Sequence, residues 1–149
     1  MIFDFSRIKN SKNLLAFSGG VDSSALFFLL LNHKIDFDIA IVNYNTREQS
    51  KDEIEYASFL AKKYDKKIFI KDIKLENSSN FEKNARDIRY IFFEQIIKEN
   101  SYETLITAHQ LNDRLEWFLM QLSKGAGLVE LFGIREFEEK KIIKFFVHF

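Results

Sequence analysis

Two adjacent glycines, an aspartate and three serines lie close together near the start of the chain, in segment 18–24 (SGGVDSS). Glycines let a backbone approach an anion closely, and a helix that starts just after them offers unpaired N–H groups and the positive end of its dipole. The serine hydroxyls can donate further hydrogen bonds. The segment therefore predicts a phosphate-binding turn, formed by Ser18, Gly19, Gly20, Val21, Asp22, Ser23 and Ser24.

Asp22 is the unusual residue of this turn, because a carboxylate beside a phosphate repels it. A magnesium ion between them would remove the conflict, since Mg²⁺ binds carboxylate and phosphate oxygens together. The turn lacks the lysine of a Walker A loop and the spacing of a dinucleotide-binding fingerprint. The alternative is a plain helix N-cap, for which Ser, Gly and Asp are ordinary residues. Asp22 is thus a candidate metal ligand and catalytic residue.

A second group of polar residues, in segment 108–116 (AHQLNDRLE), combines a histidine with two carboxylates. Asp113 and Glu116 are three positions apart, which puts them on one face of a helix. Beside a bound phosphate group, these carboxylates and His109 could hold magnesium and an amine nucleophile. The alternative is an ordinary surface histidine, followed by acids of the kind common in a first helical turn. His109, Asp113 and Glu116 are candidate catalytic residues, and Asp113 is also a candidate metal ligand.

Strands and helices are predicted to alternate along the chain. Short apolar runs predict strands at 14–17, 37–43, 67–73, 104–108 and 142–147. Apolar residues at helical spacing predict four helices between or after these strands. The first spans 23–31, and the second starts at a capping box of Ser50 and Glu53. The third carries the apolar stripe Phe81, Ala85, Ile88, Phe92 and Ile96, and the fourth spans Leu111 to Leu122 and ends before Gly125 and Gly127.

This alternation predicts the fold class. Strands joined by helices of ten or more residues form right-handed crossovers, and hence an α/β fold with a doubly wound parallel sheet and helices on both faces. In a five-stranded sheet of order 3-2-1-4-5, the fourth strand lies beside the first. Segment 109–116 would then face the phosphate-binding turn across the crevice at the carboxyl ends of the strands.

Composition limits the remaining possibilities. A chain of 149 residues, 46% of them hydrophobic, can bury one sizeable core, so one domain over 1–149 is expected. The 22 basic and 22 acidic residues cancel, so the chain has no general positive field to attract nucleic acid. The cysteine count of zero excludes disulfides, thiolate metal sites and sulfur carried as a protein persulfide. No apolar run approaches a membrane span, so a cytoplasmic protein without a membrane partner is expected.

The phosphate-binding turn resembles the pyrophosphate loop of the N-type ATP pyrophosphatases, the PP-loop superfamily. Together with NARDIRY from Asn84, AHQLNDRLE from Ala108 and KGAGL from Lys124, it is similar to the family of tRNA(Ile)-lysidine synthetases in order and spacing. The resemblance implies an adenine nucleotide alpha hydrolase-like fold. It also implies an enzyme that uses ATP and Mg²⁺ to adenylate the wobble cytidine of an isoleucine tRNA, after which the amine of free lysine attacks and AMP leaves.

The resemblance also implies roles for residues that the spacing alone leaves open. His109, Asp113 and Glu116 match the family's histidine and acidic pair, as catalytic residues with Asp22. Arg86, Arg89 and Lys124 match positions that would contact phosphate or tRNA, although exposed helix arginines are common for other reasons. After the second strand, Asn45 stands where the family often has glycine, and asparagine can adopt the same left-handed backbone.

Family members normally continue into a helical region and a further tRNA-binding domain. We therefore expect this chain to be the catalytic domain, without the C-terminal tRNA-binding region, and a homodimer is compatible with it. The alternatives are a tRNA thiolase or an amidotransferase-type synthetase of the same superfamily, or an ATP-binding module without catalysis. The absence of cysteine disfavours the thiolase, and the acids Asp22, Asp113 and Glu116 disfavour a module that only binds ATP.

Overall fold

The computed structural model describes residues 5–45, 49–74, 81–109 and 142–146. In this part of the chain, the strands are β1 (Asn13–Ala16), β2 (Phe37–Asn43), β3 (Ile68–Asp72), β4 (Thr104–His109) and β5 (Ile142–Phe146). The helices are α1 (Val21–Asn32), α2 (Gln49–Lys63) and α3 (Phe81–Asn100).

The five strands form one parallel sheet in the order β3-β2-β1-β4-β5. In the register of the sheet, Ala16 of β1 pairs with Ala40 of β2 on one side and with Thr107 of β4 on the other. β1 is thus the point from which the strand order runs in both directions, and a crevice opens at its carboxyl end. The predicted five-stranded order is confirmed.

Helices cover both faces of the sheet, as predicted. Leu15 of β1 faces a core shared with α1 and α2, which includes Phe27 and Leu60. Leu14, the preceding residue, faces a second core on the α3 side, with Phe93. Successive side chains of a strand point to opposite faces, so a buried strand needs apolar residues at consecutive positions.

The helix that follows the turn is packed closely against the sheet. Leu26, Phe27 and Leu30 of α1 are fully buried, and the Phe27 ring meets that of Phe37 edge to face, with centroids 5.1 Å apart. Burial of a side chain of this size stabilises a fold by roughly 2–3 kcal/mol. This packing fixes the helix, and therefore its first turn, against the sheet.

Polar side chains join the strands at the amino end of the sheet. The hydroxyl of Tyr102 donates to Asp38 Oδ2 at 2.6 Å, and Asp38 Oδ1 accepts the backbone N–H of Lys67 at 2.8 Å. The side-chain amide of Asn13 donates to the carbonyl oxygens of Ile8 and Asp36 at 3.0 and 2.8 Å. Burial and the Asp38 carboxylate together raise the pKa of Tyr102.

The structure differs from the sequence prediction at the start of α2. This helix begins at Gln49, so Ser50 lies inside the helix and is not its N-cap; Glu53 packs against the turn instead. Ile70 of β3 is 42% exposed, because β3 is an edge strand of the described sheet. The predicted helix over 111–122 lies outside the described residues, within which no helix is long and apolar enough to cross a membrane.

Candidate functional site

The predicted turn joins β1 to α1. Gly20 is the N-cap residue of α1, with an extended backbone (φ −79°, ψ 176°) and no side chain with which to cap the helix. Its carbonyl oxygen accepts the first helical hydrogen bond, from the Ser24 N–H at 3.0 Å. The N–H groups of the first turn, from Val21 onward, have no partner within the helix. This is the arrangement by which helix starts bind phosphate.

The serine hydroxyls give the turn its shape. Ser23 Oγ lies 3.0 Å from Ser18 Oγ and donates to the carbonyl oxygen of Gly20 at 3.2 Å. Ser24 Oγ donates to the same carbonyl oxygen at 2.8 Å. Ser23 is buried and Ser18 is exposed. Ser23 and Ser24 therefore hold the turn together, and Ser18 is the serine most accessible to a ligand.

Gly19 makes a close approach to α2. Its φ is +80°, and a Cβ added to it would lie 2.8 Å from both Cβ and Cγ of Glu53. A side chain is disfavoured there both by the backbone conformation and by the lack of space. The contact positions the turn against α2 and brings Glu53 to the site.

A cavity of about 330 Å³ opens beside the turn, at the carboxyl ends of β1, β2 and β4. This is within the roughly 300–1,000 Å³ range of small-molecule sites. Its lining comes from the end of β1 and the turn (Ala16, Phe17, Ser18, Asp22, Ser23), the end of β2 (Val42, Tyr44), the helices α2 and α3 (Glu53, Arg89, Tyr90, Phe93) and β4 (Thr107, Ala108). Four predicted residues, Ser18, Asp22, Ser23 and Arg89, thus meet in one cavity.

The two predicted arginines of α3 occupy different positions. Arg89 is half-buried and lines the cavity, with its guanidinium 5.6 Å from the centroid of the Tyr90 ring. Arg86 is exposed, and its guanidinium lies 6.0 Å from the centroid of the same Tyr90 ring. It is absent from the lining of the described cavity. Arg89 is therefore the arginine that can reach a ligand beside the turn.

Tyr44, which follows β2 directly, lines the cavity together with Arg89. Burial raises the pKa of Tyr44 above its ordinary value, while the positive charge of Arg89 acts in the opposite direction. Since the net direction is upward, the Tyr44 hydroxyl is neutral at physiological pH. Asn45, the next residue, has a left-handed backbone (φ 53°). This conformation was expected, because the family often has glycine at the corresponding position.

Thr107 of β4 adds a polar atom to the apolar side of the cavity. It is 6% exposed, and its Oγ1 has no hydrogen-bond partner among the described residues. A buried hydroxyl without a partner costs about 1–3 kcal/mol. A ligand in the cavity could supply that partner.

Several predicted residues lie partly or wholly outside the described part of the chain. His109 is the last residue of β4, where its backbone pairs in register with Phe146 of β5, and its side chain is not described. Asp113, Glu116 and Lys124 lie outside the described residues. Their assigned roles remain predictions.

Sequence reasoning missed part of the cavity lining, notably Tyr44, Glu53 and Thr107. Tyr44 and Thr107 stand at the carboxyl ends of β2 and β4, where a doubly wound sheet places ligands, and this position could have identified them. Nothing in the sequence indicated that Glu53 lines the cavity, because a glutamate at this position was already explained by the predicted capping box with Ser50.

Comparisons with known proteins identify the family of the domain. A family model described as a PP-loop domain matches residues 3–146. The tRNA(Ile)-lysidine synthase of Campylobacter jejuni (strain RM1221) is 58% identical over 134 residues, which cover 90% of this chain and 41% of that protein. The tRNA(Ile)-lysidine synthase of Helicobacter pylori (strain ATCC 700392 / 26695) is 55% identical, over 90% of this chain and 40% of that protein. The chain thus spans about two-fifths of the length of these curated relatives.

A solved structure has the same fold. The U34-tRNA thiolase NcsA from Methanococcus maripaludis superposes with a TM-score of 0.73 at 23% identity, over 91% of this chain and 51% of that one. At this identity, the likeness concerns the fold alone. Because the family model matches residues 3–146 of 149, the chain belongs to the PP-loop domain family.

Proposed function

We propose that this chain is the catalytic domain of an enzyme that forms lysidine on an isoleucine tRNA. The observation that carries the proposal is one cavity that joins the phosphate-binding turn to Arg89 and to aromatic side chains. The names of the relatives, tRNA(Ile)-lysidine synthase, support the choice of base and nucleophile. Both substrates and the reaction itself are proposed for this chain by similarity.

In this proposal, ATP binds in the cavity with its phosphates at the start of α1. The first-turn N–H groups and Ser18 would donate to phosphate oxygens, and Arg89 would supply a positive charge from the opposite side. Phe93 and Tyr90 offer apolar surface for the rest of the nucleotide. Gly19 and Gly20 let the backbone approach the phosphates.

The proposed chemistry has two steps. The carbonyl oxygen of the cytosine ring attacks the α-phosphorus of ATP, and pyrophosphate leaves. The amine of free lysine then attacks the activated ring carbon, loses a proton, and AMP departs. Adenylation is needed because the carbonyl oxygen of cytosine is by itself a poor leaving group. His109, Asp113 and Glu116 are the candidates for binding the amine and accepting its proton.

The residues present fit a magnesium ion. Mg²⁺ takes oxygen ligands and is usually held by one or two carboxylates and substrate phosphates, with several waters retained. Asp22 lines the cavity beside Ser18 and Ser23 and would hold the ion, with Asp113 as a second proposed ligand. When bound, the ion would neutralise charge that accumulates on the phosphates. No group of three metal-binding side chains occurs among the described residues.

Contact with tRNA is proposed for Arg86 and Lys124. The balanced charge of the chain, 22 basic against 22 acidic residues, gives little general attraction to RNA. We propose that much of the tRNA affinity belongs to the three-fifths of the relatives that this chain does not span. A cytoplasmic location and a homodimer remain predictions.

The test is to incubate the chain with labelled ATP, Mg²⁺, lysine and total tRNA, and to measure AMP release and lysine attached to tRNA. We expect both products, and neither when tRNA or lysine is omitted. A version extended to the length of the relatives should attach lysine faster. If the extended version also releases no AMP and attaches no lysine, the proposal is wrong.

Charge-neutralising variants test the roles of the acids. Asp22→Asn and Asp113→Asn are each expected to lower the rate of lysine attachment by about 100-fold or more while the free energy of unfolding changes little. Equal losses of activity and stability would contradict a catalytic role. Intact ATP binding without AMP release by the unmodified chain would favour a binding module, and delivery of sulfur to tRNA would favour a thiolase.

A further inference from the structure

Thr107 lies on the face of the sheet that α3 covers. Leu14 and Leu105 belong to the core on this side, and side chains two positions further along a strand lie on the same face. Ala16 of β1 and Thr107 of β4, which pair in register, therefore face α3 as well. Both line the cavity. The cavity thus extends from the turn into a hollow between the sheet and α3.

The wall of this hollow is mostly apolar. Val42, Tyr90 and Phe93 line the cavity and pack in the core on the α3 side. Ala16 is small and leaves space between the sheet and the two rings of α3. Pockets of this kind, with apolar and aromatic walls and a few polar groups that fix orientation, are typical of sites for small organic ligands. A flat aromatic ring suits these walls, since it packs well against other rings.

The Thr107 hydroxyl has no partner for its hydrogen bonds. The residue is 6% exposed, and its Oγ1 makes no hydrogen bond within the described part of the chain. Asn13 Oδ1 shares this property there, but Asn13 stands at the amino end of β1 and does not line the cavity. Few buried groups in native proteins are left unpaired. Because rotation about Cα–Cβ exchanges the hydroxyl and methyl positions of Thr107, the hydroxyl can turn toward a bound ligand.

We propose that the Thr107 hydroxyl forms a hydrogen bond to the adenine ring of ATP, which lies in this hollow. ATP is taken as the ligand, so the proposal rests on the proposed function. With the phosphates at the start of α1, the base occupies the other side of the same cavity, because Ala16 is only two residues before Ser18.

The chemistry of the two groups is complementary. A threonine hydroxyl both donates and accepts, and the edge of adenine offers ring-nitrogen acceptors and an amino donor. The ribose is the weaker candidate, since its two hydroxyls need more polar partners than the described wall of the hollow supplies. Thr107 therefore fixes the orientation of the base and does not act on the reacting atoms.

Two substitutions at Thr107 test this contact. Dissociation constants for ATP with Mg²⁺ are measured by calorimetry for the unmodified chain, Thr107→Val and Thr107→Ser. Valine keeps the shape of the side chain but lacks the hydroxyl, so ATP binding should weaken by about fivefold, the effect of one hydrogen bond between uncharged groups. Serine keeps the hydroxyl, so the affinity should stay within about twofold of the original value.

Urea unfolding separates a ligand contact from a structural one. A buried hydroxyl without a partner destabilises the free chain, so Thr107→Val should not lower the midpoint of unfolding. A lower midpoint would mean that the hydroxyl bonds to another part of the protein, and would overturn the proposal. Thr104→Val is the matched control, since it removes a buried hydroxyl at the amino end of the same strand. It should change none of the ligand affinities.

Fragments of the nucleotide show which part contacts Thr107. Adenosine, cytidine, inorganic triphosphate and dideoxyadenosine, which lacks the two hydroxyls of the ribose ring, are each measured by displacement of labelled ATP. Thr107→Val should weaken the binding of adenosine and dideoxyadenosine by the same factor as that of ATP. Triphosphate binding should not change, because the contact is with the base.

Other outcomes would overturn the proposal in different ways. A loss for adenosine without a loss for dideoxyadenosine would place Thr107 against the ribose, and a loss for cytidine alone would assign the hollow to the target base. Unchanged ATP affinity in Thr107→Val, or an unmodified chain that binds no adenosine, would also contradict the contact. If a version extended to the length of the relatives binds ATP but attaches no lysine, the proposed function fails while the Thr107 results can still be read. Binding of neither ATP nor adenosine overturns both.

Discussion

The two ends of the sheet treat polar side chains differently. At the amino end, the Tyr102 hydroxyl, the Asp38 carboxylate and the Asn13 amide are hydrogen-bonded to other groups of the protein, across neighbouring strands. At the carboxyl end, Asn43 and Asn45 make such bonds between the ends of β2 and β3, but beside β1 the side chains of Asp22 and Arg89 line a cavity. Polar groups thus hold strands together at the amino end, whereas beside β1 at the carboxyl end they lie within reach of a ligand.

One tyrosine at each end shows the difference in detail. Burial raises the pKa of both Tyr44 and Tyr102. The Tyr102 hydroxyl donates a hydrogen bond to the Asp38 carboxylate, which joins the segment before β4 to β2, whereas Tyr44 lines the cavity with Arg89. One tyrosine therefore serves the packing of the sheet, and the other lies within reach of a ligand.

The largest expected effect concerns the backbone of the carboxyl end. In Gly19→Ala, a Cβ would be placed at positive φ and 2.8 Å from side-chain atoms of Glu53. We expect ATP binding to weaken by about 100-fold, and the free energy of unfolding to fall by about 2–4 kcal/mol from strain and overpacking. Calorimetry with ATP and urea unfolding measure the two effects.

Gly20→Ala is the matched control for this change. Gly20 has a φ of −79°, and an added Cβ would lie 3.5 Å from Ser18 Oγ, which is an ordinary contact. The free energy of unfolding should change by less than about 1 kcal/mol. If both alanine variants behaved alike, the positive φ of Gly19 and its contact with Glu53 would not be what shapes the turn.

Removal of a hydroxyl from the amino end should have the next largest effect. Tyr102→Phe deletes the hydrogen bond of 2.6 Å to Asp38, and loss of a bond to a charged group costs about 1.5–2 kcal/mol. Urea unfolding should show this loss, while the affinity for ATP stays the same. A drop in ATP affinity of about tenfold or more would end the distinction between the two ends of the sheet.

Much of the fold could be predicted because its determinants are local in the sequence. Apolar runs such as 37–43 correspond to strands buried on both faces, and the glycine turn between β1 and α1 stands at the switch point of the strand order. The left-handed backbone of Asn45 was predictable because few residues tolerate it. Each of these features is determined by residues that are close together in the sequence.

Other features depend on contacts that the sequence does not show. Lys34, Asp65 and Ser101 end α1, α2 and α3 with positive φ, where glycine is usual, so no residue type marked these ends. Glu53 reaches the cavity because α2 packs against Gly19. Tyr44 and Arg89 line the same cavity although they are 45 positions apart in sequence, which depends on how α3 packs on the sheet.

Asn45 allows a smaller test, at the carboxyl end. Its side chain donates to the carbonyl oxygen of Ile73 at 3.2 Å, and its Oδ1 accepts from Asn43 at 3.1 Å. Asn45→Ala should lower the free energy of unfolding by about 1–2 kcal/mol, because alanine disfavours a φ of 53° and lacks these bonds.

Asn45→Gly removes the same hydrogen bonds but accepts the backbone conformation, so its loss should be smaller, below about 1 kcal/mol. Urea unfolding of both variants gives the comparison. Equal losses would mean that the side-chain hydrogen bonds matter and the backbone conformation does not.

The smallest effect is expected at alkaline pH. The pKa of Tyr102 is raised in the folded chain, so the folded state holds this proton more tightly than the unfolded state does. Its contribution to stability is complete below the unfolded pKa of about 10 and is lost as pH rises above that value. Between pH 9 and 10.5, the stability advantage of the unmodified chain over Tyr102→Phe should shrink by about 0.8 kcal/mol.

Tyr44→Phe provides the comparison at the other end of the sheet. Asp38 raises the pKa of Tyr102, whereas Arg89 opposes the rise in the pKa of Tyr44. Over the same pH range, the stability advantage of the unmodified chain over Tyr44→Phe should therefore shrink less than its stability advantage over Tyr102→Phe. Urea unfolding at a series of pH values measures both differences, and since lysines titrate in all the chains alike, their effect cancels. A steeper loss for Tyr44 would mean that the charge of Arg89 does not stabilise its phenolate.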